Sequence, residues 1–282
     1  LLLAAVMFVI PAAGVKAAWD GTAADSFAGG SGTEDDPYQI SNAKELALLA
    51  KRVNEGDSAY NSGSYKLTDD IDISGAEWPV IGAKSTRFKG TFDGNNKTIS
   101  GIYINVTVNN PYNPYQGLFG YSEGIIKNVR LANGSIQGSY YVGGICGFNT
   151  GTIEKCINEA DVSVSSSGGS DVGGICGYNS GTIEKCINSV SINSNGVVGG
   201  ICGTNTKLTR YCYNTGDMIG QGSLIGGICG SDTGMGTNSN SVEYCYSTGR
   251  ISTASKSYDV YVGGIIGSGS KAVNCYYNKD HG

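Results

Sequence analysis

Apolar residues occur along this chain in short blocks flanked by glycine. One such block, "GLFG" at Gly117–Gly120, returns five times with the same spacing between its glycines. The later copies, "GICG" four times and then "GIIG", start at Gly144, Gly174, Gly200, Gly227 and Gly264. Successive copies start 26 to 37 residues apart, and a period of about 20 to 50 residues indicates a solenoid or another repeat array. We therefore expect one structural unit per repeat, with the length differences placed at corners.

Two apolar columns lie three positions apart in every repeat, separated by two mostly polar positions. A plain strand alternates with a period of two, so the chain is expected to turn a corner there. The columns are Ile126, Ile153, Ile183, Thr209, Val242, Ala272 and Val129, Cys156, Cys186, Cys212, Cys245, Cys275. A third apolar patch contains Ile136, Val162, Val164, Ile192, Ile219 and Ile251. Three short strands per turn predict an all-β fold, a single-stranded parallel β-helix of triangular section, with right-handed coiling favoured.

A different pattern precedes the repeats. In "SNAKELALLAKRVNEG", apolar side chains follow helical spacing at Ala43, Leu46, Ala47, Ala50 and Val53. Asn42 suits the N-cap, Glu45 the N3 position and Gly56 the position after the end, which predicts an α-helix over residues 42–55. An uncovered end coil would offer its edge to other strands. This helix is therefore expected to cap the solenoid.

The chain begins with an apolar stretch of about ten residues before Pro11, which is shorter than the roughly 20 residues that span a bilayer. Val15 and Ala17 suit the −3 and −1 positions of a secretory cleavage site. We expect a signal peptide with a clipped start, and the alternative is a buried first strand. The predicted segments are the signal peptide at 1–17, the cap at 18–63, first coils at 64–116 and repeat coils at 117–282, which are expected to continue beyond the given chain.

Composition narrows the classes of function. The 282 residues carry a net charge of −5, and only 15% of them are charged. A nucleic-acid-binding protein needs a basic face to displace counterions from phosphate, so that class is excluded. The 45 glycines and 18 tyrosines favour many short strands joined by tight turns.

The nine cysteines are interpreted as core residues. The first cysteine column reads Phe119, Cys146, Cys176, Cys202, Cys229 and Ile266. A catalytic or metal-binding role could not survive replacement by Phe or Ile, whereas cysteine can serve as a small buried hydrophobe. Stacked neighbours about 4.8 Å apart do not match the Cβ separation of about 3.8 Å in a disulfide. Export favours disulfides, but geometry predicts that most of these cysteines remain free thiols.

No catalytic, cofactor-binding or metal-ligating residue is predicted. The only histidine is His281, so the cysteines lack the usual partner that would activate a thiolate. The densest acidic region holds Asp70, Asp72 and Asp93. These carboxylates could act on a sugar or bind Ca²⁺, but closing turns is the interpretation we favour.

Tyrosines provide the candidate ligand contacts. Exposed tyrosine offers flat area for sugars or protein partners, and several tyrosines precede the glycine pairs or lie in a proline-containing loop. The candidates are Tyr112, Tyr115, Tyr140, Tyr258 and Tyr261. The alternative is that these rings cover the backbone at corners or stack as an outer ladder.

The run from "PYQISNAKELALLAKRVNEG" through "LTDDIDISGAEWPVIG" and "FKGTFDGNNKTISGI" resembles the N-terminal part of bacterial surface proteins with GLUG-motif repeats. The segments "GLFG", "GGICGYNSGTIEKC" and "YCYNTGD" resemble the repeats themselves, so the resemblance covers nearly all of the chain after the signal segment. It implies a secreted or wall-associated β-helix. Similar repeats occur in adhesin-like proteins and in the non-catalytic part of immunoglobulin-A1-specific metallopeptidases. This chain lacks the His-Glu-x-x-His of those enzymes and carries Cys where the motif usually has an aliphatic residue or Phe.

The sequence thus predicts a non-enzymatic, extracellular β-solenoid, secreted or attached to the cell surface or wall, that serves as an adhesive or spacer segment of a larger bacterial protein. The expected partners are glycans or proteins on a host or cell surface, without nucleic acid, cofactor or membrane span. The alternative is a polysaccharide lyase or glycosidase that uses the region of Asp70, Asp72 and Asp93.

Overall fold

The fold is a stack of parallel β-coils behind a helical cap. A computed structural model describes residues 18–106, 114–164, 170–220, 224–234, 241–253, 260–269 and 271–279. The predicted signal segment at 1–17 lies outside the described residues, as do Tyr112, Tyr258 and His281. The helices are α1 Ala43–Asn54 and α2 Ser58–Asn61.

The rest of the described chain consists of short strands joined by turns and loops. The strands before the first "GICG" copy are β1 Tyr38–Ile40, β2 Ser64–Leu67, β3 Ile71–Asp72, β4 Thr91–Asp93, β5 Thr98–Asn105, β6 Tyr115–Gln116, β7 Phe119–Ser122, β8 Ile125–Lys127, β9 Arg130–Gly138 and β10 Tyr141–Gly143. The next strands are β11 Cys146–Asn149, β12 Thr152–Glu154, β13 Ile157–Val164, β14 Asp171–Gly173, β15 Cys176–Asn179, β16 Thr182–Glu184, β17 Ile187–Asn188, β18 Ile192–Ser194, β19 Val197–Gly199 and β20 Cys202–Asn205. The last strands are β21 Leu208–Arg210, β22 Tyr213–Asn214, β23 Met218–Gly220, β24 Leu224–Gly226, β25 Cys229–Asp232, β26 Val242–Glu243, β27 Tyr246–Ser247, β28 Ile251–Thr253, β29 Tyr261–Gly263, β30 Ile266–Gly269 and β31 Tyr276–Tyr277.

These strands form four sheets, and each turn from β6 to β28 visits all four. One turn runs through β10 in sheet D, β11 in sheet C, β12 in sheet A and β13 in sheet B. Every named strand pair is parallel, with pairing partners one turn apart, for example Val142 with Val172 and Ile153 with Ile183. About eight turns stack in this way, which confirms the predicted all-β, parallel solenoid.

The prediction of three strands per turn and a triangular section is wrong, because the repeats build four sheets. The glycine pair at Gly143 and Gly144 ends the sheet D strand and starts a turn into sheet C. The segment that was predicted to form a single wall therefore forms two walls, sheets D and C. Sheets C and D meet very closely. A Cβ atom on Gly147 in sheet C would lie 2.8 Å from the backbone nitrogen of Gln116 in sheet D. At the turn between these sheets, a Cβ atom on Gly144 would lie 2.4 Å from Cγ of Asn158 in sheet B. The glycines of the motif are therefore required by packing.

The predicted corner between the apolar columns is confirmed. The residue just before the second cysteine column has a positive φ, for example 53° at Lys155 and 55° at Lys185. The same geometry recurs at Asn128, Tyr211, Tyr244 and Asn274. A residue in this left-handed region bends the chain into a corner. For a non-glycine residue this backbone conformation costs about 1 kcal/mol or more. At this corner the side chain of the left-handed residue points outward, and the side chain of the following cysteine points inward.

One predicted core position is wrong by a single residue. Ile192 pairs with Met218, and Met218 pairs with Ile251. Ile219, which the sequence pattern assigned to this column, is 37% exposed, whereas Met218 is fully buried. A shift of one residue moves a strand side chain to the other face, and hydrophobicity alone does not distinguish Met from Ile at this point.

The predicted capping helix is confirmed. Asn42 caps α1, since its Oδ1 accepts a hydrogen bond from the amide of Glu45 at 3.1 Å. The Glu45 carboxylate reaches back to the amide of Ser41 at 2.6 Å, and Gly56 has φ of 80° after the helix end. The buried face of α1 shares one apolar core with the first coil, including Leu67. The short helix α2 has no counterpart in the sequence prediction.

Candidate binding surface

The cysteines stack inside the solenoid in two columns. In the first column, Cys146 pairs with Cys176, then Cys202 and Cys229 follow in register, with Phe119 and Ile266 at the two ends. The members of the second column are Cys156, Cys186, Cys212, Cys245 and Cys275. Eight of the nine are buried and Cys275 is half-buried. Burial raises the pKa of the Cys176 thiol well above its usual range, so this thiol stays protonated at neutral pH.

The arrangement of the thiols is that of packing groups. Cys176 donates to the carbonyl of Tyr178 at 3.2 Å, and Cys156 donates to the carbonyl of Glu154 at 3.4 Å. The nine cysteines all lie in the described part of the chain, and no disulfide joins any two of them. Across the described ranges, no group of three or more His, Cys, Asp or Glu side chains is placed to hold a metal ion.

Two buried ladders of asparagine run parallel to the cysteine columns, and the sequence analysis missed both. In the first, Asn149 donates to Asn179 at 2.8 Å and Asn179 donates to Asn205 at 2.8 Å. In the second, Asn188 donates to Asn214 at 2.9 Å. All five side chains are fully buried. The signal for the first ladder was present in the sequence as "GFN", "GYN" and "GTN", in which the glycine is the last one of the motif.

Of the acidic residues that could have formed a hydrolytic pair, Asp72 and Asp93 close turns, whereas Asp70 binds the backbone of the next coil. Asp70 accepts a hydrogen bond from the amide of Thr98 at 2.8 Å, and Asp72 accepts one from the amide of Ser74 at 2.9 Å. Asp93 accepts one from the amide of Asn95 at 2.8 Å. Asp72 belongs to sheet B and Asp93 to sheet A. Each of these carboxylates therefore accepts a hydrogen bond from a backbone amide, and Asp72 and Asp93 lie on two different walls.

A column of charged side chains follows the outer face of sheet A. Its members in register are Lys66, Asp93, Lys127, Glu154, Glu184, Arg210 and Glu243. Opposite charges are neighbours at most steps, as in the ion pair of Lys127 with Asp93 at 3.7 Å. Hydrogen bonds from Lys185 and Arg210 lower the pKa of Glu184. Opposite-charge neighbours favour this register over a slipped one.

The tyrosines predicted as ligand contacts differ in their exposure to solvent. Tyr115 is buried, with 6% of its surface exposed, and Tyr140 is half-buried. Tyr261 is 59% exposed. The residue in register with Tyr115 is Tyr141, and their ring centroids lie 5.5 Å apart. Of the predicted set, the described residue that offers an open ring is therefore Tyr261.

A half-buried aromatic stack fills the angle between the outer faces of sheets C and D. Phe148 lies between Tyr121 and Tyr178, with ring centroids 4.8 Å and 4.7 Å apart. Tyr141 contacts Phe148 edge-on from sheet D at 5.5 Å. The Arg87 guanidinium covers the Tyr121 ring at 4.8 Å. This stack is internal packing between two sheets, with little open ring area.

The most exposed aromatic surface lies at the corner between sheets A and B. We name it the tyrosine corner, formed by Tyr211, Tyr213, Tyr244, Tyr246 and Tyr276. Four of its five rings are between 42% and 67% exposed. It arises from the motif "YCY" at 211–213 and 244–246, because the middle cysteine points inward and both flanking rings point outward.

The rings of the tyrosine corner stack along the solenoid axis. The centroids of Tyr211 and Tyr244 are 5.2 Å apart, and those of Tyr213 and Tyr246 are 5.3 Å apart. Tyr246 is in register with Tyr276 in the following turn. The corner was not predicted from sequence, because the exposure of these rings depends on the left-handed residue before the cysteine. The repeated "YCY" was the signal that could have found it.

Comparisons with known proteins support this architecture. The GLUG motif family matches residues 138–163, which confirms the resemblance of the repeats. A protein of Evansella cellulosilytica, provisionally named a Gly-rich membrane protein, is 35% identical over 133 residues, 45% of this chain and 15% of that protein. Halomucin of Haloquadratum walsbyi is 28% identical over 144 residues, 51% of this chain and 2% of that protein. The matched segments thus span a small part of both relatives.

A solved structure shares the fold. The crystal structure of a protein from Bacteroides ovatus, provisionally named an immunoglobulin A1 protease, superposes with a TM-score of 0.60 at 20% sequence identity. The superposition covers 87% of each chain. Within the described ranges, no helix has the length and apolar character needed to cross a membrane.

Proposed function

We propose that this chain is a non-enzymatic repeat segment of a bacterial cell-surface protein that acts as an adhesive or spacer and presents the tyrosine corner to a partner. The observation that carries the proposal is the exposed tyrosine array on a rigid, in-register scaffold. The expected partner is a glycan or protein on a host or another cell.

Rigidity comes from contacts that repeat at every turn. From β6 to β28, each turn pairs with the next in four sheets, and the buried asparagine ladders join several of these turns through side chains. With about 4.8 Å per turn, about eight turns extend roughly 40 Å. The stability of such a stack accumulates turn by turn, so the segment suits the task of holding a surface at a fixed distance.

The tyrosine corner has the chemistry of a contact surface. Tyr244 and Tyr246 flank one inward cysteine and are 48% and 42% exposed. Tyrosine combines a rigid apolar ring with a polar hydroxyl and is enriched where proteins bind partners. Arg210 lies 5.7 Å from the Tyr211 ring centroid and pairs with Glu184 at 2.6 Å. Charged groups therefore border the aromatic area, as the rim of an interface does.

The names of the relatives favour a location at the cell surface. One is named as a membrane protein and the other as halomucin. The match covers only a minor share of each, which is consistent with a segment of a long surface protein. The predicted signal peptide at 1–17 would provide the route for export.

A binding experiment tests the adhesive role. Polystyrene beads coated with the chain are applied to an array of oligosaccharides and to a panel of extracellular-matrix proteins. We expect binding that the double variant Tyr211→Ser with Tyr244→Ser loses. The matched control is Tyr103→Ser, since Tyr103 is 45% exposed on strand β5, away from the corner.

The two variants together decide the result. Retention of binding by the corner double variant would contradict a contact role for the corner. Equal loss in the control variant would show that any exposed tyrosine contributes. Absence of binding by the wild-type beads to both arrays would leave the spacer role and refute the adhesive one.

A further inference from the structure

The tyrosine corner contains two pairs of phenols that belong to successive turns. Tyr211 and Tyr244 have an interplanar angle of 15°, and Tyr213 and Tyr246 one of 9°. Parallel register holds the backbones of neighbouring turns about 4.8 Å apart, so each ring stays opposite its partner. We propose that these two pairs are modification sites at which a haem peroxidase, using hydrogen peroxide, couples the phenols into dityrosine. This proposal is independent of the adhesive role.

The coupling reaction needs only the two tyrosine side chains, hydrogen peroxide and the peroxidase, and its atoms and electrons balance. The peroxidase removes one hydrogen atom from each phenol, and hydrogen peroxide is reduced to two molecules of water. The two phenoxyl radicals join through a carbon–carbon bond between ring positions ortho to the oxygens. The hydrogen atoms on those carbons return to the oxygens, so each crosslink costs the protein two hydrogen atoms in total.

These pairs differ from other stacked tyrosines because solvent and an oxidant can reach their rings. Tyr211 and Tyr244 are each 48% exposed, so an oxidant can reach both rings. The pair of Tyr115 and Tyr141 has similar geometry, with centroids 5.5 Å apart at 16°, but Tyr115 is buried. That pair is an internal control for geometry without access.

A second internal control lies in the aromatic stack between sheets C and D. Phe148 separates Tyr121 from Tyr178. Phenylalanine cannot form a phenoxyl radical, so neither tyrosine has a coupling partner above or below it in that stack. Spacing and ring overlap resemble those of the corner, and only the hydroxyl of the middle ring is missing.

The thiols next to the corner are directed away from the rings. Cys212 and Cys245 are 2% and 1% exposed, and each donates to a backbone carbonyl two residues earlier, at 3.2 Å. A thiol in contact with a phenoxyl radical would reduce it before coupling. Because the sulfur atoms lie on the core side of the backbone, the paired rings are the nearest reactive partners for each other.

Coupling would fasten consecutive turns covalently. A crosslink between Tyr211 and Tyr244 closes a loop of chain, and closing a loop stabilises a fold mainly by restricting its unfolded state. The treated protein is therefore expected to unfold at a higher temperature than the untreated protein.

The test treats the purified chain with horseradish peroxidase and hydrogen peroxide at low protein concentration. Dityrosine fluorescence, the intact mass and the crosslinked peptides after proteolysis are measured. We expect a loss of two hydrogen atoms per crosslink, with peptides that join 211 to 244 and 213 to 246. Tyr211→Phe should abolish the first peptide and keep the second, because Phe preserves the stacking but not the phenol. Tyr115→Phe should change neither.

Three outcomes would overturn the proposal. The first is the absence of both peptides under conditions that couple free tyrosine. The second is crosslinking only between molecules, seen as covalent dimers. The third is coupling of Tyr115 with Tyr141 as fast as coupling of Tyr211 with Tyr244, which would show that access does not select the pair.

Discussion

The side-chain amide of Asn149 donates a hydrogen bond to Oδ1 of Asn179, 2.8 Å away in the next turn. Neither residue is exposed to solvent. Each such amide also serves its own turn, since Oδ1 of Asn179 accepts from the amide of Gly181 at 3.1 Å. The ladder thus holds the turn from sheet C to sheet A and the stacking of the coils with the same atoms.

Replacing the middle rung should weaken the stack. Asn179→Ala leaves the Gly181 amide without its acceptor, and leaves the Asn149 amide only its longer contacts, at 3.4 Å, with the carbonyls of Gly151 and Thr182. An unsatisfied buried group costs about 1 to 3 kcal/mol. We expect the free energy of unfolding to fall by about 3 kcal/mol, measured by urea denaturation. Asn193→Ala is the control, because Asn193 is exposed on strand β18. A similar fall in both variants would contradict a role for the ladder.

Gly177, in strand β15 of sheet C, should tolerate no side chain. A Cβ atom on Gly177 would lie 2.5 Å from the backbone nitrogen of Val142, where neither backbone can move without breaking a ladder. Gly177→Ala should destabilise the protein by about 3 kcal/mol, the upper end of overpacking costs. Gly29→Ala is the matched control, since its Cβ atom would meet only the Gln39 side chain, at 3.4 Å. Thermal unfolding of both variants distinguishes packing from general loss of glycine flexibility.

The cysteines should be unreactive until the fold is opened. Buried, protonated thiols react slowly with disulfide reagents, because the thiolate is the nucleophile. We expect Ellman's reagent to modify few thiols in the native protein and all nine in unreduced, denatured protein. Denatured protein that still withheld most of its thiols would show that disulfides form in spite of the stacked geometry.

Asp171 should make stability depend on pH. Burial raises its pKa to about 6, while a hydrogen bond from Thr204 at 2.9 Å acts in the opposite direction. Because the folded pKa exceeds the unfolded value of 3.8, the native state binds the extra proton between these values, so stability falls as pH rises from about 4 to about 6. Asp171→Asn should remove this slope and stabilise the protein at pH 7 by at most about 3 kcal/mol, since each pKa unit between 3.8 and about 6 corresponds to about 1.4 kcal/mol. Exposed Asp161→Asn is the control, and urea midpoints across that range provide the measurement.

Periodicity predicted much of the architecture from sequence. The spacing of Gly144 and Gly174 predicted the stacking, and the positions of Asn42 and Gly56 predicted the limits of the cap helix, since those residues satisfy local backbone requirements. The fourth wall was not predictable from periodicity, because it depends on how closely two backbones approach at glycine. Met218 was missed because a one-residue shift preserves hydrophobicity while it changes the face.

The candidate surface was less predictable than the core. Tyr115 and Tyr261 occupy the same column, yet one is 6% and the other 59% exposed. Their difference is set by which rings from sheet C lie against them, and the sequence of sheet D does not contain that information. Tyr211 and Tyr244 became visible as a pair only when the left-handed corner placed both outside.

The strict register of the coils also limits how such a chain can change in length. Cys176 has a cysteine neighbour in the turn before it and in the turn after it, so removing or duplicating one whole unit restores every contact. Adding a single residue within a strand would turn its buried side chains outward. Duplication or loss of one unit such as the near-identical stretches 142–156 and 172–186 would therefore lengthen or shorten the rod and keep the register of its interior.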